Sequence, residues 1–527
     1  MSSRVSPQYQ LQKLCKKASK LNSRAGSYLA EGKIQLAIDC FRRVVTLRPD
    51  SAQAHCHLGG AQERLGDLEA AADSYRHAVA LQPDSPELHC HLARVLYRSG
   101  ALQEAAAWYQ RALAIDPKKY EIYNDFGLVL TDLGNFGAAV EAFRRALILK
   151  PNSARTIASL GYLFECKGDL VSAADAYRDA LRLDPQLVAA YGDLGFVLYG
   201  LGELAEASDC FCRLRALQTD SAKATVNLGL IHLLQGNLSL GWREYESRWR
   251  VGVGDDRRLL QARWQGEPLE GARILLYAEQ GLGDTLQFVR YVPMVAARGG
   301  QVVLEVQPSL HRLLSGIEGA SPVISRGETL PEFTWQCPLL SLPLAFATEL
   351  NTIPAKIPYI YPDPAQVLAW RQRLQGNTRR IGLAWGGNPS HHRDRLRSIP
   401  LEQLVPLMKI AGTTFYSLQL GPGSEQVKQL PPGVRLVDLA AELKDFTDTA
   451  SIVANLDLVI SVDSSVAHLA GAMGKPVWIL LNKGCDWRWF LERDDSPWYP
   501  TARLFRQTTP GGWPEVVNGI EHELRQG

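Results

Sequence analysis

The chain has 527 residues, a length that exceeds what one hydrophobic core normally organises and that predicts about three domains. Its 57 Lys and Arg residues nearly balance 55 Asp and Glu residues, and the net charge of +2 excludes a general electrostatic attraction to nucleic acid or to an anionic membrane. Any site for a polyanion must therefore be local.

The first ten residues, MSSRVSPQYQ, lack the charged and then apolar pattern of a secretory signal, and no apolar run is long enough to span a bilayer. We therefore expect a cytoplasmic protein. The nine cysteines are scattered and include no Cys-x-x-Cys pair. This favours buried free thiols over a disulfide framework or a structural metal.

A period of 34 residues organises the first part of the chain. The period relates prolines, aromatic residues and small residues, at Pro49, Pro83, Pro117, Pro151 and Pro185, at Phe41, Tyr75, Tyr109, Phe143, Tyr177, Phe211 and Tyr245, and at Gly59, Ala93, Gly127, Gly161, Gly195 and Gly229. Each proline stops a helix, the small residues let paired helices approach, and the aromatic residues fill the space between pairs.

This pattern resembles the tetratricopeptide repeat (TPR) family. The resemblance covers residues 18–252, as six full repeats and a partial seventh after an extension at 1–17. It implies an all-α superhelix in which the first helix of each pair lines a concave groove. A polar column would then face the groove and bind a protein or peptide, unless its members are merely solvated helix positions. The column is His57, His91, Asp125, Ser159, Asp193 and Asn227.

Large aromatic residues cluster where the array ends. Trp242, Tyr245, Trp249 and Trp264 supply apolar surface on both sides of a loop-like Gly-Val-Gly-Asp-Asp stretch, within or beside a junction at 253–271. We expect these side chains to dock the array on the next domain. A flexible tether is the alternative.

From residue 272 the pattern alternates between strand, glycine-rich turn and helix. It occurs twice, in a first lobe at 272–370 and in a second lobe at 371–527 that ends in a helix, with a proline-rich passage between them. This order predicts an α/β module of two Rossmann-like lobes with parallel sheets, and the cleft between the lobes is the expected ligand site. Strands are predicted at 273–277, 302–306, 381–385, 414–419 and 456–461.

Three loops at predicted strand ends carry the candidate chemistry. The loop 279–285 contains an acidic residue, Asp284, and glycines. The glycines leave backbone N–H groups accessible at the start of a helix. The loop 385–400 combines loop-forming residues with basic side chains suited to an anion. The loop 463–476 opens a helix with two serines, where a helix N-terminus attracts phosphate.

Together these loops resemble glycosyltransferase family 9, the heptosyltransferase group of the GT-B glycosyltransferases, over residues 272–506. The Gly-Asp of that family, with its downstream Pro, is matched by Gly283-Asp284 and Pro293. The motif Asp-Ser/Thr-Gly-x-x-His-x-Ala is matched at 463–470, with Ser465 in place of glycine. Repeats followed by such a module are also similar to the layout of O-linked N-acetylglucosamine transferase.

The resemblance implies a role for each matched residue. Asp284 would be the catalytic base, Arg397 would occupy the place of a phosphate-binding lysine, and Asp463 would contact the donor sugar. The remaining donor or phosphate contacts would be Gly281, Gly283, Ser464, Ser465 and His468, with Asn388, His391 and His392 as possible further contacts. A nucleotide sugar would be the co-substrate, transfer would invert the anomeric centre, and no metal or other cofactor would be needed.

Structural interpretations exist for the same residues. Asp284 can cap the helix that follows it, and His468 can be a packed histidine with satisfied hydrogen bonds. Asp445 and Asp448 precede a helix and are expected to cap it. The pair Asp486 and Arg488 follows a strand end and borders the expected cleft, without an assigned role.

Two hypotheses of different classes follow. In the first, the chain is an inverting, metal-independent glycosyltransferase whose repeat array recruits a protein or glycan acceptor. In the second, it is a TPR scaffold with an inactive glycosyltransferase-like domain.

Overall fold

The computed structural model of the protein describes residues 7–252, 257, 259–374, 376, 378–389 and 394–526, and side chains from residue 14 onward. The candidate donor contacts His391 and His392 lie outside these residues. The chain divides into two compact units, Met1–Asp193 and Leu194–Gly527.

Helices follow one another in pairs up to residue 245. They are α1 (Pro7–Ala30), α2 (Ile34–Leu47), α3 (Ala52–Leu65), α4 (Leu68–Leu81), α5 (Pro86–Arg98), α6 (Leu102–Ile115), α7 (Tyr120–Asp132), α8 (Phe136–Leu149), α9 (Ala154–Lys167), α10 (Leu170–Leu183), α11 (Val188–Leu201), α12 (Leu204–Leu217), α13 (Ala222–Leu234) and α14 (Leu238–Tyr245). A 3-10 helix, Glu246–Val251, follows α14 directly. The helix α1 begins before residue 18, so helical structure extends into the predicted N-terminal extension.

Polar side chains and glycines set the helix ends within each repeat. Ser51 accepts a hydrogen bond from Ala54 N at the start of α3, and Asp67 accepts one from Ala70 N at the start of α4. Between the two helices, Gly66 has a φ of 90°, a backbone conformation that glycine adopts without steric strain. A glycine with a positive φ also occurs in the later turns, at Gly100, Gly134, Gly168, Gly202 and Gly236.

Glycines in the first helix of a pair contact aromatic rings of the second. A Cβ on Gly127 would lie 2.6 Å from Phe143 Cε1, and a Cβ on Gly161 would lie 2.9 Å from Tyr177 Cε1. Atoms cannot pack that closely, so glycine permits the observed approach. The predicted function of the small-residue column within helix pairs is confirmed.

The first sheet of the second unit has five parallel strands in the order β1-β5-β2-β3-β4. The strands are β1 (Ala262–Arg263), β2 (Arg273–Tyr277), β3 (Gln301–Val306), β4 (Ala320–Ser325) and β5 (Trp335–Pro338), and the helices are α15 (Leu282–Phe288), α16 (Val292–Ala296), α17 (Pro308–Leu314) and α18 (Leu342–Ala345). Strand β1 lies inside the predicted junction 253–271. A two-residue strand has no alternation that a sequence pattern can detect.

The second sheet has six parallel strands in the order β11-β10-β9-β6-β7-β8. The strands are β6 (Arg379–Ala384), β7 (Thr413–Ser417), β8 (Leu436–Asp438), β9 (Leu458–Val462), β10 (Val477–Leu481) and β11 (Ala502–Arg506), and the helices are α19 (Pro364–Arg373), α20 (Asp394–Arg397), α21 (Val405–Met408), α22 (Phe446–Val453), α23 (Ser465–Ala472) and α24 (Trp513–Gln526). The two parallel sheets confirm the predicted α/β class. Helix α19 spans the predicted lobe boundary at 370/371.

The end of the repeat array packs directly on the lobes. Trp242 of α14 is 2% exposed, its ring lies edge-on to Trp487 at 5.0 Å, and its Nε1 donates to Thr348 O at 3.1 Å. Trp264 is also buried and packs edge-on against Phe346 at 5.5 Å. The predicted docking of the array by aromatic residues is confirmed for Trp242, whereas the contact of Trp264 lies within the first lobe. The flexible tether is wrong for this end of the array.

No helix among the described residues combines the length and the apolar character needed to cross a membrane.

Candidate functional site

The loop between β2 and α15 places a carboxylate at the start of the helix. The backbone N–H of Gly281 donates to Asp284 Oδ2 at 2.8 Å, so Asp284 does cap α15. Its other oxygen, Oδ1, accepts a hydrogen bond from Arg488 Nη2 of the second lobe. Because each interaction uses a different oxygen, the Asp284 side chain can cap α15 and bind Arg488 of the second lobe at the same time.

Arg488 connects the two lobes by hydrogen bonds. No role was predicted for it from the sequence. Its Nη1 donates to Asp486 Oδ1 at 2.8 Å, and its Nε donates to Gln287 Oε1 of α15 at 2.6 Å. The side chain is 8% exposed. Burial lowers the pKa of Arg488, but the carboxylates of Asp486 and Asp284 outweigh burial and raise it overall. The guanidinium is therefore a fixed positive charge between the lobes.

The turn that carries Arg488 has an unusual backbone. The 3-10 helix Trp487–Trp489 ends at Phe490, which has a φ of 53° and a ψ of −170°. Few non-glycine residues adopt this conformation, and such strain persists only where the surroundings enforce it. Here Arg506 Nη2 donates to Trp489 O at 2.5 Å and helps to hold the turn.

Helices α15 and α23 meet at a glycine. A Cβ on Gly283 would lie 2.8 Å from His468 Cδ2, so only glycine allows this approach. Through this contact, the Gly-Asp motif of the first lobe and the 463–470 motif of the second lobe come together. In this arrangement the N–H of Gly281 donates to Asp284 and Gly283 packs against His468, and the phosphate-binding roles of both glycines stay predictions.

His468 is a buried histidine with fixed neighbours. Its Nδ1 shares a hydrogen bond with Tyr499 Oη at 2.9 Å, and its ring stacks on Trp489 at 5.3 Å. Burial lowers the pKa of His468 well below its usual value, and the positive charges of Arg488 and other arginines add to the effect. The imidazole is therefore neutral at physiological pH.

Asp463 lies immediately after β9 and is 8% exposed. Its Oδ1 is 3.9 Å from His468 Nε2, beyond hydrogen-bond distance and next to a neutral ring. Burial raises the pKa of Asp463 to about 6, and Asp486 adds to the rise, whereas Arg397 and Arg488 lower it. Asp463 can therefore change its protonation state close to neutral pH.

The predicted serines sit at the first turn of α23. Ser464 is the N-cap residue, and its Oγ accepts a hydrogen bond from Val466 N at 3.3 Å. The same Oγ lies 3.0 Å from Ser461 Oγ. Ser464 and Ser465 are both half-buried, and the first turn of α23 presents backbone N–H groups next to Asp463.

Arg397 ends the short helix α20, in the predicted anion-binding loop. Its Nε donates to Asp394 Oδ1 at 3.2 Å, and its side chain is 22% exposed. A Cβ on Gly387 would lie 2.5 Å from Arg397 Nη2, so the glycine allows the guanidinium to cross the loop. The positive charge of Arg397 contributes to lowering the pKa of Asp463 and of His468.

Comparisons with known proteins support both halves of this description. The family model "Tetratricopeptide repeat" matches residues 23–86 and 124–188, and the model "TPR repeat" matches 93–134. The model "Glycosyltransferase family 9 (heptosyltransferase)" matches residues 415–481, which include β9, Asp463 and α23. The chain is a TPR array joined to a region similar to family 9 glycosyltransferases.

Similar whole proteins were also found. Protein FlbA of Caulobacter vibrioides is 28% identical over 337 residues, which cover 58% of this chain and 54% of that protein. The chain thus spans about half the length of this curated relative. Among solved structures, a TPR protein from Parabacteroides merdae has a TM-score of 0.40 at 18% identity, covering 45% of this chain and 94% of that one. A thermophilic TPR protein in Thermus thermophilus has a TM-score of 0.30 at 22% identity, with coverages of 34% and 98%.

Three further candidate residues, Asn388, Asp445 and Asp448, lie in the second lobe. Asn388 is exposed in the loop after β6. Asp445 caps α22 by accepting a hydrogen bond from Thr447 N at 2.7 Å, and Asp448 accepts one from Lys444 N at 3.0 Å. The predicted capping role is confirmed for Asp445, whereas Asp448 lies in the first turn of α22 and bonds to the backbone that precedes the N-cap residue.

The polar column of the TPR array engages its own neighbours. His91 stacks on Tyr75 at 5.4 Å, and Asp125 pairs with Arg155 at 2.7 Å. Ser159 is 8% exposed, and its Oγ donates to Arg155 O at 3.0 Å. Ser159 is thus unsuited to partner contact, because it is buried and bonded within its own helix. The other members, His57, His91, Asp125, Asp193 and Asn227, are half-buried.

Proposed function

We propose that the chain is a glycosyltransferase that moves a sugar from a nucleoside diphosphate donor to an acceptor hydroxyl, with Asp284 as the base. The observation that carries the proposal is the meeting of two motifs from different lobes. Asp284 of the first lobe is hydrogen-bonded to Arg488 of the second, and Gly283 packs against His468 of the segment that matches family 9.

The reaction follows from the charges at this meeting point. The Asp284 carboxylate takes the proton of the acceptor hydroxyl, and the hydroxyl oxygen forms a bond to the anomeric carbon of the donor. The bond between that carbon and the β-phosphate oxygen breaks, and its electron pair leaves with the nucleoside diphosphate. Direct displacement of this kind inverts the anomeric centre.

The leaving group needs positive charge and hydrogen-bond donors as its own charge grows. Arg397 and the backbone N–H groups at the first turn of α23 supply both in the second lobe. These donors make a divalent metal unnecessary in the proposal. The Arg488 guanidinium donates a hydrogen bond to Asp284 Oδ1 and so holds the carboxylate in place between the lobes.

We also propose that the TPR array recruits the acceptor. Arrays of paired helices offer long surfaces that are suited to extended partners, and the half-buried polar column is the candidate contact. A protein or a glycan attached to a protein would be the acceptor class. Purification of the full chain from cells, followed by intact-mass analysis of copurifying proteins, would detect added sugars.

Turnover with nucleotide sugars tests the proposal. A panel of uridine, guanosine, adenosine and cytidine diphosphate sugars is incubated with the full chain, and nucleotide release is measured. Asp284→Asn retains an oxygen that can cap Gly281 N but cannot accept a proton, so we expect the rate to fall by about 100- to 10,000-fold. Donor binding should persist.

The matched control is Asp363→Asn. Asp363 also caps a helix of the second unit, through a hydrogen bond from Ala365 N at 2.8 Å, and asparagine caps as well as aspartate. We expect this variant to keep the wild-type rate. Equal rates in wild type and Asp284→Asn would remove Asp284 from catalysis.

One observation favours the scaffold alternative. Among the described residues, the carboxylates of Asp284 and Asp486 both pair with Arg488, and Arg397 is already paired with Asp394. A diphosphate would meet repulsion unless Arg397 changes partner. Binding of no nucleoside diphosphate would favour a TPR scaffold without transferase activity.

A further inference from the structure

The last helices of the TPR array belong to the same compact unit as the two lobes. They contact both sides of the ion pair between Asp284 and Arg488. Neither the packing of the repeats nor the transfer chemistry by itself requires these contacts. They raise the question of what the end of the array does for the site.

Arg248 connects the array to the loop that carries Asp284. Its Nη2 donates to Glu279 Oε1 at 2.9 Å, its Nε donates to Glu279 Oε2 at 3.2 Å, and both side chains are fully buried. The same guanidinium donates to Ser341 Oγ and to Glu246 Oε1, both at 2.7 Å. Every guanidinium nitrogen of Arg248 therefore has an acceptor. Such a two-bond contact fixes Glu279 in orientation as well as in position.

A second chain of hydrogen bonds follows the same loop. Gln280 Nε2 donates to Tyr245 Oη of α14 at 3.0 Å. The backbone oxygen of Gln280 accepts from Gln307 Nε2 at 3.0 Å, and Gln307 Oε1 accepts from Thr285 Oγ1 at 2.9 Å. Hydrogen bonds thus hold the loop on both sides of Asp284. Tyr245 of the array binds Gln280, and Gln307 of the first lobe binds Gln280 and Thr285.

The other side of the ion pair also rests on the array. Trp242 packs edge-on against Trp487, the neighbour of Arg488, at 5.0 Å. Tyr199 of α11 donates from its hydroxyl to Cys485 O at 3.2 Å. The turn that carries Arg488 therefore packs on helices of the last two repeats.

We infer that the end of the repeat array is part of the catalytic framework, and that Arg248 is a positioning residue that sets the geometry of Asp284 through Glu279. The inference rests on the proposed function, since it concerns the placement of the proposed base. Displacement of a catalytic group by about 1 Å can reduce a rate about 100-fold, so a small shift of this loop has a measurable consequence.

Paired variants of the full chain separate positioning from folding. Arg248→Met leaves the Glu279 charge buried without a partner, and we expect a lower melting temperature and a lower kcat. Arg248→Met combined with Glu279→Gln removes both charges and keeps an amide oxygen for Leu340 N, the other donor to Glu279. We expect the double variant to regain most of the melting temperature, while kcat stays about 10- to 100-fold below wild type and the donor KM stays within about 3-fold.

The matched control is Arg243→Met. Arg243 is an arginine of α14 that bonds only within its own helix among the contacts described, to Ser239 O at 3.1 Å and Ser239 Oγ at 3.0 Å. Its kcat and melting temperature should remain those of wild type. Recovery of kcat together with the melting temperature in the double variant would overturn the inference, because Arg248 would then serve the fold alone.

Amide hydrogen exchange gives a readout that does not depend on turnover. We expect faster exchange in peptides that cover 279–288 in the double variant, with unchanged exchange in peptides that cover β9. Unchanged exchange at 279–288 would overturn the inference even if the wild type transfers sugar. A wild type without any transfer, with faster exchange at 279–288 in the double variant, would instead refute the proposed function and leave the structural coupling intact.

Discussion

The protonation states of single residues decide what the site can do. His468 is neutral, because burial lowers its pKa, so it can donate or accept a hydrogen bond but supplies no positive charge. Among the described residues, Arg488, Arg290 and Arg397 are the arginines whose charges act on His468. Asp463 is the residue whose state changes near neutral pH, since burial raises its pKa to about 6.

The pKa of Asp463 predicts a pH-dependent stability. In the folded chain the carboxyl is protonated up to about pH 6, whereas in the unfolded chain it ionises near 3.8. Folding is therefore favoured by this group below pH 4, and that contribution is lost as the pH rises through 6. We expect Asp463→Asn to raise the free energy of unfolding at pH 7 by about 3 kcal/mol, with the gain vanishing by pH 4.

Urea unfolding followed by tryptophan fluorescence measures this effect. Trp108 is the one tryptophan of the first unit, so the signal reports mainly on the second unit. Asp438→Asn, at an exposed aspartate of the second lobe, is the control variant. A gain for Asp463→Asn that is constant between pH 4 and pH 7 would contradict the prediction.

The sequence predicts those site residues that lie close together along the chain, and it misses contacts between residues that are far apart in sequence. Asp284, Asp463 and His468 lie in contiguous motifs, so a local pattern finds them. Arg488 contacts Asp284 across 204 positions, and no local pattern marks that contact. The one available signal was its position after a strand end, which many unrelated residues share.

At the scale of elements, close helix contacts depend on glycine. The 34-residue period locates the repeat helices, because a glycine of the first helix contacts an aromatic ring of the second at the same place in several pairs, namely at Gly59, Gly127, Gly161 and Gly195. Strands with four or five apolar residues, such as β2 and β9, are equally evident from sequence. Strands β1 and β8 are not, because two or three residues carry no periodicity.

The contact between glycine and an aromatic ring within a helix pair predicts opposite effects on stability for alanine substitutions at two glycines of neighbouring helices. Gly127→Ala places a Cβ 2.6 Å from the Phe143 ring, and we expect the free energy of unfolding of the first unit to fall by about 1 to 3 kcal/mol. Gly137→Ala, in α8, meets no atom within 4 Å and should raise it by up to about 1 kcal/mol. Thermal unfolding followed by circular dichroism compares them. Equal effects of the two substitutions would contradict the packing described.

The contact between α15 and α23 predicts a loss of activity. In Gly283→Ala the new Cβ would lie 2.8 Å from His468 Cδ2, so the helices must separate and Asp284 must move. We expect transfer to fall about 100-fold. Gly316→Ala is the control, because its Cβ meets no atom within 4 Å. A wild-type transfer rate for Gly283→Ala would show that this approach is not needed.

At the scale of the whole molecule, the boundary between compact units does not coincide with the end of the repeats. It falls at residue 193, inside α11, so the last repeats belong with the two lobes. Sequence patterns place the boundary at the last repeat motif instead, because the period continues through residues that change their packing partner. The array and the transferase-like region are thus joined by shared packing.

The proposed reaction requires that the second unit bind a nucleoside diphosphate beside Asp284. Calorimetric titration of the full chain with uridine, guanosine, adenosine and cytidine diphosphates tests it most directly, with Arg397→Ala as the comparison. We expect at least one of these compounds to bind with one site per chain, and Arg397→Ala to weaken that binding about 10-fold or more, as loss of a charge-assisted contact predicts. Absence of binding by all four compounds, or binding that Arg397→Ala leaves unchanged, would contradict the account.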